Sequence, residues 1–235
     1  MIRYAKGQAP RQLTTLAATP RMEWDGLGAA DRAPIRAALA RDQGWLCAYC
    51  QRRITPDEDA RTGRSQMKIE HWLPRNPARP DAASGTTDHH LLWSNLLGVC
   101  LGISFDPGSP SARTSHCDTS RRNADLFLHP VDGQGPDPRD HLRYTQGGIV
   151  EPIKPNPRVE ADVRALNLNA PQLQRGRREV LDAVRKRLDK AGYSLGELKK
   201  IADAHRISAG TATPEHAEFV RYYIFKKLRS RGEMT

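Results

Sequence analysis

The chain has 235 residues and carries 37 Lys+Arg against 27 Asp+Glu, a net charge of +10. A protein this basic is expected to meet a polyanion or an acidic partner. No apolar run approaches the roughly 18 residues of a membrane helix, and the opening MIRYAKGQAP lacks the apolar stretch of a secretory signal, so the expectation is a cytoplasmic protein with no membrane partner.

Residues 1–30 read as an irregular arm. A short helix is expected over Asp31 to Gln43, with Pro34 near its start, Ile35, Ala38 and Leu39 on its apolar face and Gly44 as its stop. Cys47-Ala48-Tyr49-Cys50 comes directly after it. Residues 55–66 read as a polar loop, Met67 to Trp72 as a short strand, and Pro74 to Asp88 as a long loop. Asn95 to Cys100 reads as a second strand. Gly102 to Ser115 is a further polar loop leading to His116-Cys117, and a helix is expected from about Asp118 to Phe127.

Residues 131–157 form a Pro/Gly-rich hairpin linker, with His141 to Thr145 turning through Gln146-Gly147-Gly148 into Ile149-Val150. The main boundary is placed near 157, and 158–235 read as a basic helical region. Its longest helix opens at Pro171 and closes at Gly192, a second is marked by Leu195, Leu198 and Ile201, and a last one starts at Thr213-Pro214-Glu215. Residues 171–231 hold 15 Lys+Arg and 7 Asp+Glu. That excess is either a solvated helix surface or a face for nucleic acid or a partner. Phe219, Tyr222, Tyr223, Ile224 and Phe225 nearly surround the last helix, which suits a partner interface for part of it.

Leu, Ile, Val and Phe together number 44, a thin supply for a core of this size. Cys47, Cys50, Cys100 and Cys117 offer a remedy. Disulfides are rare in a reducing compartment, and four thiolates suit a tetrahedral zinc ion that contributes folding energy directly. Free buried cysteines, redox use of the Cys-x-x-Cys pair and a site including His116 are the alternatives.

Between the cysteine pairs stand Glu70-His71 at the end of a short strand and then Asn95-Leu96. The ordered set Cys47-x-x-Cys50, Glu70-His71, Asn95-Leu96, Cys100, Cys117-Asp118 resembles HNH endonucleases of the ββα-metal type with a four-cysteine zinc frame. The family's closing Cys pair is usually tight and followed by Asn or His. Here it is spread over 16 intervening residues and followed by Asp118. The opening Met1 to Gly7, Leu46 to Cys50, Ile69 to Trp72, His116 to Asp118 and Leu166-Asn167-Leu168-Asn169 further resemble the HNH subunit of Septu-type anti-phage systems, the PtuB family, whose relatives accompany some retrons.

The resemblance implies an α+β fold with a ββα HNH core over residues 31–130, and a metal-dependent endonuclease acting on DNA more than RNA. It implies His71 as general base, Glu70 and Asp118 as ligands of one Mg2+ or Mn2+, and Asn95 as the brace of the loop that orients His71. It also implies a bacterial setting and an ABC/SMC-like ATPase partner (PtuA-like). Arg121 and Arg122, one helical turn past Asp118, are candidates to grip a phosphate. His89, His90 and His116 read as structural or exposed. A zinc-containing module that binds nucleic acid or protein without cutting is the alternative function.

Overall fold

The computed structural model describes residues 1–57, 59, 61, 65–75, 89–106 and 109–233. Among them the architecture is mixed: helices and three separate two-stranded antiparallel sheets, an α+β arrangement. Most of the loop expected from Pro74 to Asp88 lies outside the described residues.

The first thirty residues are not an irregular arm. Met1, Ile2 and Tyr4 are buried, and α1 (Arg11–Ala17) packs Leu13 and Leu16 inward. The backbone N–H of Ile2 bonds the Ala48 carbonyl, and that of Tyr4 bonds the Pro130 carbonyl. Lys6 Nζ donates to the Leu96 carbonyl, and Gly7 N donates to the Asp42 carboxylate at 2.7 Å. A Cβ at Gly7 would sit 3.0 Å from both Asp42 oxygens. The opening segment therefore laces the Cys-x-x-Cys turn to Asp42, Leu96 and Pro130. Its periodicity is too short to show this in sequence.

Helix α2 (Ala29–Asp42) starts two residues earlier than expected, with the Asp31 carboxylate accepting from Gly28 N at 2.9 Å. It buries Ile35 and Leu39 under a hairpin of β1 (Lys68–His71) and β2 (Leu96–Val99). Their register places Glu70 opposite Leu97 and His71 opposite Leu96. Gly98 leaves no room for a side chain: a Cβ there would meet Met67 at 2.9 Å and Ile54 at 3.1 Å. Its carbonyl accepts from both Ala48 N and Gln43 Nε2, tying β2 to the cysteine turn.

The polar stretch after Gly102 is a second hairpin, not a loop. Strands β3 (Ile103–Asp106) and β4 (Ser109–Ser115) pair with a register shift at Phe105/Asp106. The pattern hid it because SPSARTS has no apolar alternation, and Ile103 and Phe105 are exposed. The hairpin accounts for the wide cysteine gap: it pairs with itself, so its ends meet and His116 N bonds the Gly102 carbonyl at 2.8 Å. Cys117 is thereby returned to the neighbourhood of Cys100.

Helix α3 (Cys117–Arg121) has only five residues, against the expected run to Phe127. It stops because Arg122 adopts φ 56°, and the Arg121 side chain turns back to the Ala124 carbonyl and into the core.

Helix α4 (Pro138–His141) leads into the small sheet of β5 (Leu142–Tyr144) and β6 (Val150–Pro152). Helices α5 (Pro157–Ala165), α6 (Pro171–Lys190), α7 (Leu195–Ala204) and α8 (Ala217–Arg229) complete the chain. The main core runs from Met1 through Leu173 to Ala217. A second core of Val184, Leu188, Leu198, Ile201, Val220, Ile224 and Leu228 joins α6, α7 and α8. Packing thus changes hands inside α6, beyond the residue-157 boundary at which the helices begin. No helix among the described residues is long and apolar enough to cross a membrane.

Candidate active site and metal frame

The sulfurs of Cys47, Cys50, Cys100 and Cys117 all lie within 4.8 Å of one another. Cys47 and Cys117 are 3.9 Å apart, Cys50 and Cys100 3.7 Å. A disulfide needs about 2.05 Å. A tetrahedron with Zn–S bonds of about 2.3 Å has edges near 3.8 Å. The donor set and spacing are compatible with zinc. Burial drives Cys50 and Cys117 well above the ordinary thiol range, while hydrogen bonds from neighbouring thiols hold Cys47 well below it. Four thiolates this close together, three of them buried, need a cation among them.

Two further groups serve this cluster. His116 is fully buried, with Nδ1 3.2 Å from Cys117 Sγ and Nε2 2.9 Å from Ser104 Oγ on β3. It stands behind the sulfurs as a hydrogen-bonding partner while the four cysteines form the cage. Arg177 of α6 is also buried. Its Nη atoms donate to the Gly148 and Leu168 carbonyls, and the Cys50 and Cys117 sulfurs lie within its field. A zinc tetrathiolate carries a net charge of −2, and Arg177 is placed to offset part of it.

The second anionic group is a pair of carboxylates. Glu70 is the penultimate residue of β1 and Asp118 the second of α3, and their side chains are within hydrogen-bonding reach. Burial pushes the Glu70 carboxyl up to about 8; Arg121 opposes this and the Asp118 charge reinforces it. Asp118 is lowered: hydrogen bonds from Glu70 and Lys68 outweigh its burial. Two carboxylate side chains this near one another offer oxygen donors of the kind that suit a hard cation. Lys68 Nζ holds Asp118 at 2.8 Å.

Arg121 is not a phosphate grip. Its guanidinium is wholly buried and donates to Glu70, the Tyr49 hydroxyl, and the carbonyls of His71 and Trp72. It fixes β1 to α3 from inside. Arg122 is exposed. Sequence reasoning missed Tyr49, whose hydroxyl lies 3.3 Å from Glu70 Oε1. As the third residue of Cys-x-x-Cys it links the sulfur cage to the carboxylates, and the one available signal was an aromatic inside the knuckle.

His71 is buried at the strand end, its ring packed edge-on against Trp24 at 4.6 Å. Its Nε2 lies 3.0 Å from the His90 carbonyl. A carbonyl can only accept, so Nε2 carries the proton and Nδ1 is left as the basic nitrogen. Burial lowers its pKa to about 4, so the ring is neutral at pH 7. Among the described residues no hydrogen bond joins the Asn95 side chain to His71. Its Oδ1 accepts from Leu73 N at 2.6 Å, and its Nδ2 donates to the carbonyls of Leu73 and His89. It thereby ties the segment after β1 to the residue beside His90.

A cavity of about 320 Å3 opens beside β1, lined by Trp24, Asp25, Arg32, Arg36, Lys68 and Arg75 among others. Four cations face one acid there, and Asp25 is already paired with Arg75.

The chain is similar to two named retron proteins. It is 38% identical over 68 residues to the "Retron Ec83 putative HNH endonuclease" of Escherichia coli, covering 29% of this chain and 23% of that protein. It is 23% identical over 155 residues to the "Retron Vc95 putative HNH endonuclease" of Vibrio cholerae serotype O1 biovar El Tor, covering 63% of each. It is a distant homologue of both. The chain thus spans less than two thirds of either relative's length. No protein-family model matches it.

Proposed function

We propose that this chain is a metal-dependent HNH endonuclease, with β1, β2 and α3 as its ββα core and DNA as the expected substrate. The observation that carries the reading is that Glu70 and Asp118 come within reach of each other, while the next residue of β1, His71, is a neutral histidine whose Nε2 is tied to a carbonyl. The relatives' names agree with it. Glu70 and Asp118 would hold one Mg2+ or Mn2+, which supplies charge relief at the scissile phosphate. Nδ1 of His71 accepts the proton of the attacking water, and the Nε2–His90 bond holds the ring in the matching tautomer. Asn95 positions His71 at one remove, by fixing the segment that carries the His90 carbonyl. Arg121 and Tyr49 hold the Glu70 carboxylate in place. The substrate backbone would run along the cationic cavity beside β1, where Arg32 and Lys68 take the role expected from sequence for Arg121.

The likeness to the Septu-type HNH subunit adds an anti-phage role and an ABC/SMC-like ATPase partner to this reading. Co-purification from a host expressing the neighbouring genes tests that addition.

A second reading is favoured by one observation: each carboxylate already has a cation, Arg121 for Glu70 and Lys68 for Asp118. In that case the set is a buried ion network in a non-catalytic zinc module. Plasmid and tRNA cleavage, with and without Mg2+ or Mn2+, separates the two. Cutting that needs added metal and disappears in His71→Ala supports the nuclease. Zinc-loaded, folded protein that cuts neither substrate, alone or with the ATPase, supports the binding module.

A further inference from the structure

Two cavities lie side by side along α8, far along the chain from Glu70 and His71. The first, about 290 Å3, is lined by Arg139, Tyr144, Glu218, Arg221, Tyr222 and Phe225 with Arg229 at its edge. The second, about 240 Å3, is lined by Tyr144, Gln146, Phe219, Tyr222, Lys226 and Lys227 among others. Tyr144 and Tyr222 belong to both, and their rings meet at 5.6 Å and 62° as the wall between them. The Tyr144 hydroxyl accepts from Gln51 Nε2 at 3.1 Å, so this wall is braced against the residue next to Cys50.

Spacing on α8 makes the pattern regular. Arg221, Phe225 and Arg229 fall at i, i+4 and i+8 along the first cavity, and Tyr222 and Lys226 at i and i+4 along the second. Cation and ring thus alternate along two neighbouring rows. Lys226 and Arg229 are exposed and form no ion pair among the described residues. Glu218 is the one acid in either lining, and it is buried at the base of the first cavity next to the field of Arg221 and Arg139. Each cavity falls just below the roughly 300 Å3 at which pockets for drug-sized ligands begin, a size for one ring system.

We infer that this double cavity is a binding site for single-stranded nucleic acid, two neighbouring bases lodging on either side of Tyr222 while Lys226, Lys227 and Arg229 meet the phosphates. Aromatic platforms with an adjoining basic track are what unpaired strands require, because every base offers a ring face and every nucleotide a charge. A duplex keeps its ring faces stacked and cannot enter. An acidic protein segment would satisfy the cations and leave two ring-sized cavities unused. The site goes beyond the nuclease reading, since binding here needs neither His71 nor a catalytic metal.

The test is fluorescence anisotropy with labelled (dT)12, (rU)12 and a 12-base-pair duplex, on full-length His71→Ala protein without added Mg2+. Cleavage is then silent, and failure of the nuclease reading leaves the result intact. Either single strand should bind more tightly than the duplex. Tyr222→Ala should weaken that binding by about tenfold or more, and Tyr222→Phe should restore it. Lys226→Gln/Lys227→Gln should lower the slope of log K against log salt by about 1.4, at roughly 0.7 per phosphate contact. Equal binding by wild type and Tyr222→Ala, or no preference for single strands over the duplex, overturns the inference. So does a failure to bind either single strand, which would leave the face to an acidic protein partner. Should Tyr222→Ala prove unfolded, the salt slope of the lysine-pair variant decides alone: an unchanged slope overturns it.

Discussion

Four sulfurs and two carboxylates lie on either side of Tyr49, and they solve the same electrostatic problem differently. The sulfur cluster is enclosed: each donor points at the other three, His116 and Arg177 back it from behind, and three of the four cysteines are fully buried. The carboxylate pair supplies only two donors, and Asp118 remains partly exposed. A closed four-donor cage suits a metal that stays and holds the fold. A two-donor site leaves coordination positions for water and substrate. On the proposed reading the difference separates a frame from a reaction centre, and both are reached from one Cys-x-x-Cys turn.

The largest expected effect breaks the frame. Cys47→Ser or Cys117→Ser should abolish zinc binding and the cooperative thermal transition, because structural zinc contributes roughly 10 kcal/mol or more to such folds. Zinc analysis together with calorimetry checks this. Next, His71→Ala should lower cleavage by about 10²–10⁴-fold while zinc content stays at the wild-type level. Single-turnover kinetics measure the loss, and a variant that also loses its zinc would merge the two regions. Arg121→Met comes third. Leaving Glu70 buried without its cation should cost about 3–5 kcal/mol in urea unfolding. Tyr49→Phe should be milder, about 1 kcal/mol, for the loss of its hydroxyl between Arg121 and Glu70.

A further effect concerns pH. His129 Nδ1 accepts from Val131 N, and burial lowers its pKa to about 3. The unfolded chain protonates this ring near 6.5, and the folded one does not. Its contribution to stability is therefore complete above 6.5 and is lost as pH falls towards 3. Urea midpoints at pH 7.5 and 5 should decline less in His129→Asn than in wild type.

The parts of the candidate site that stand out in sequence are those whose chemistry is local. Glu70-His71 end a short strand, and Cys47-x-x-Cys50 is a turn in its own right. The rest depended on distant partners. Arg121 looked like a surface cation at the end of a helix, and nothing in its neighbours shows that four groups between Tyr49 and Trp72 would consume its donors. The hairpin at 103–115 exposes the apolar residues of its first strand and has no large one in its second, and it brings Gly102 and His116 together. The first residues read as an arm because their bonds to Ala48, Leu96 and Pro130 are all long-range.

The claim that two unlike metal sites flank Tyr49 is tested most directly by metal counting on one protein and one variant. Wild type and Glu70→Gln would be assayed for zinc by elemental analysis and titrated with Mn2+ by electron paramagnetic resonance. The account predicts one tightly held zinc in both, and a weaker Mn2+ site present in wild type and lost in Glu70→Gln. Unchanged Mn2+ binding in the variant, or Mn2+ that enters only as zinc leaves, would contradict it.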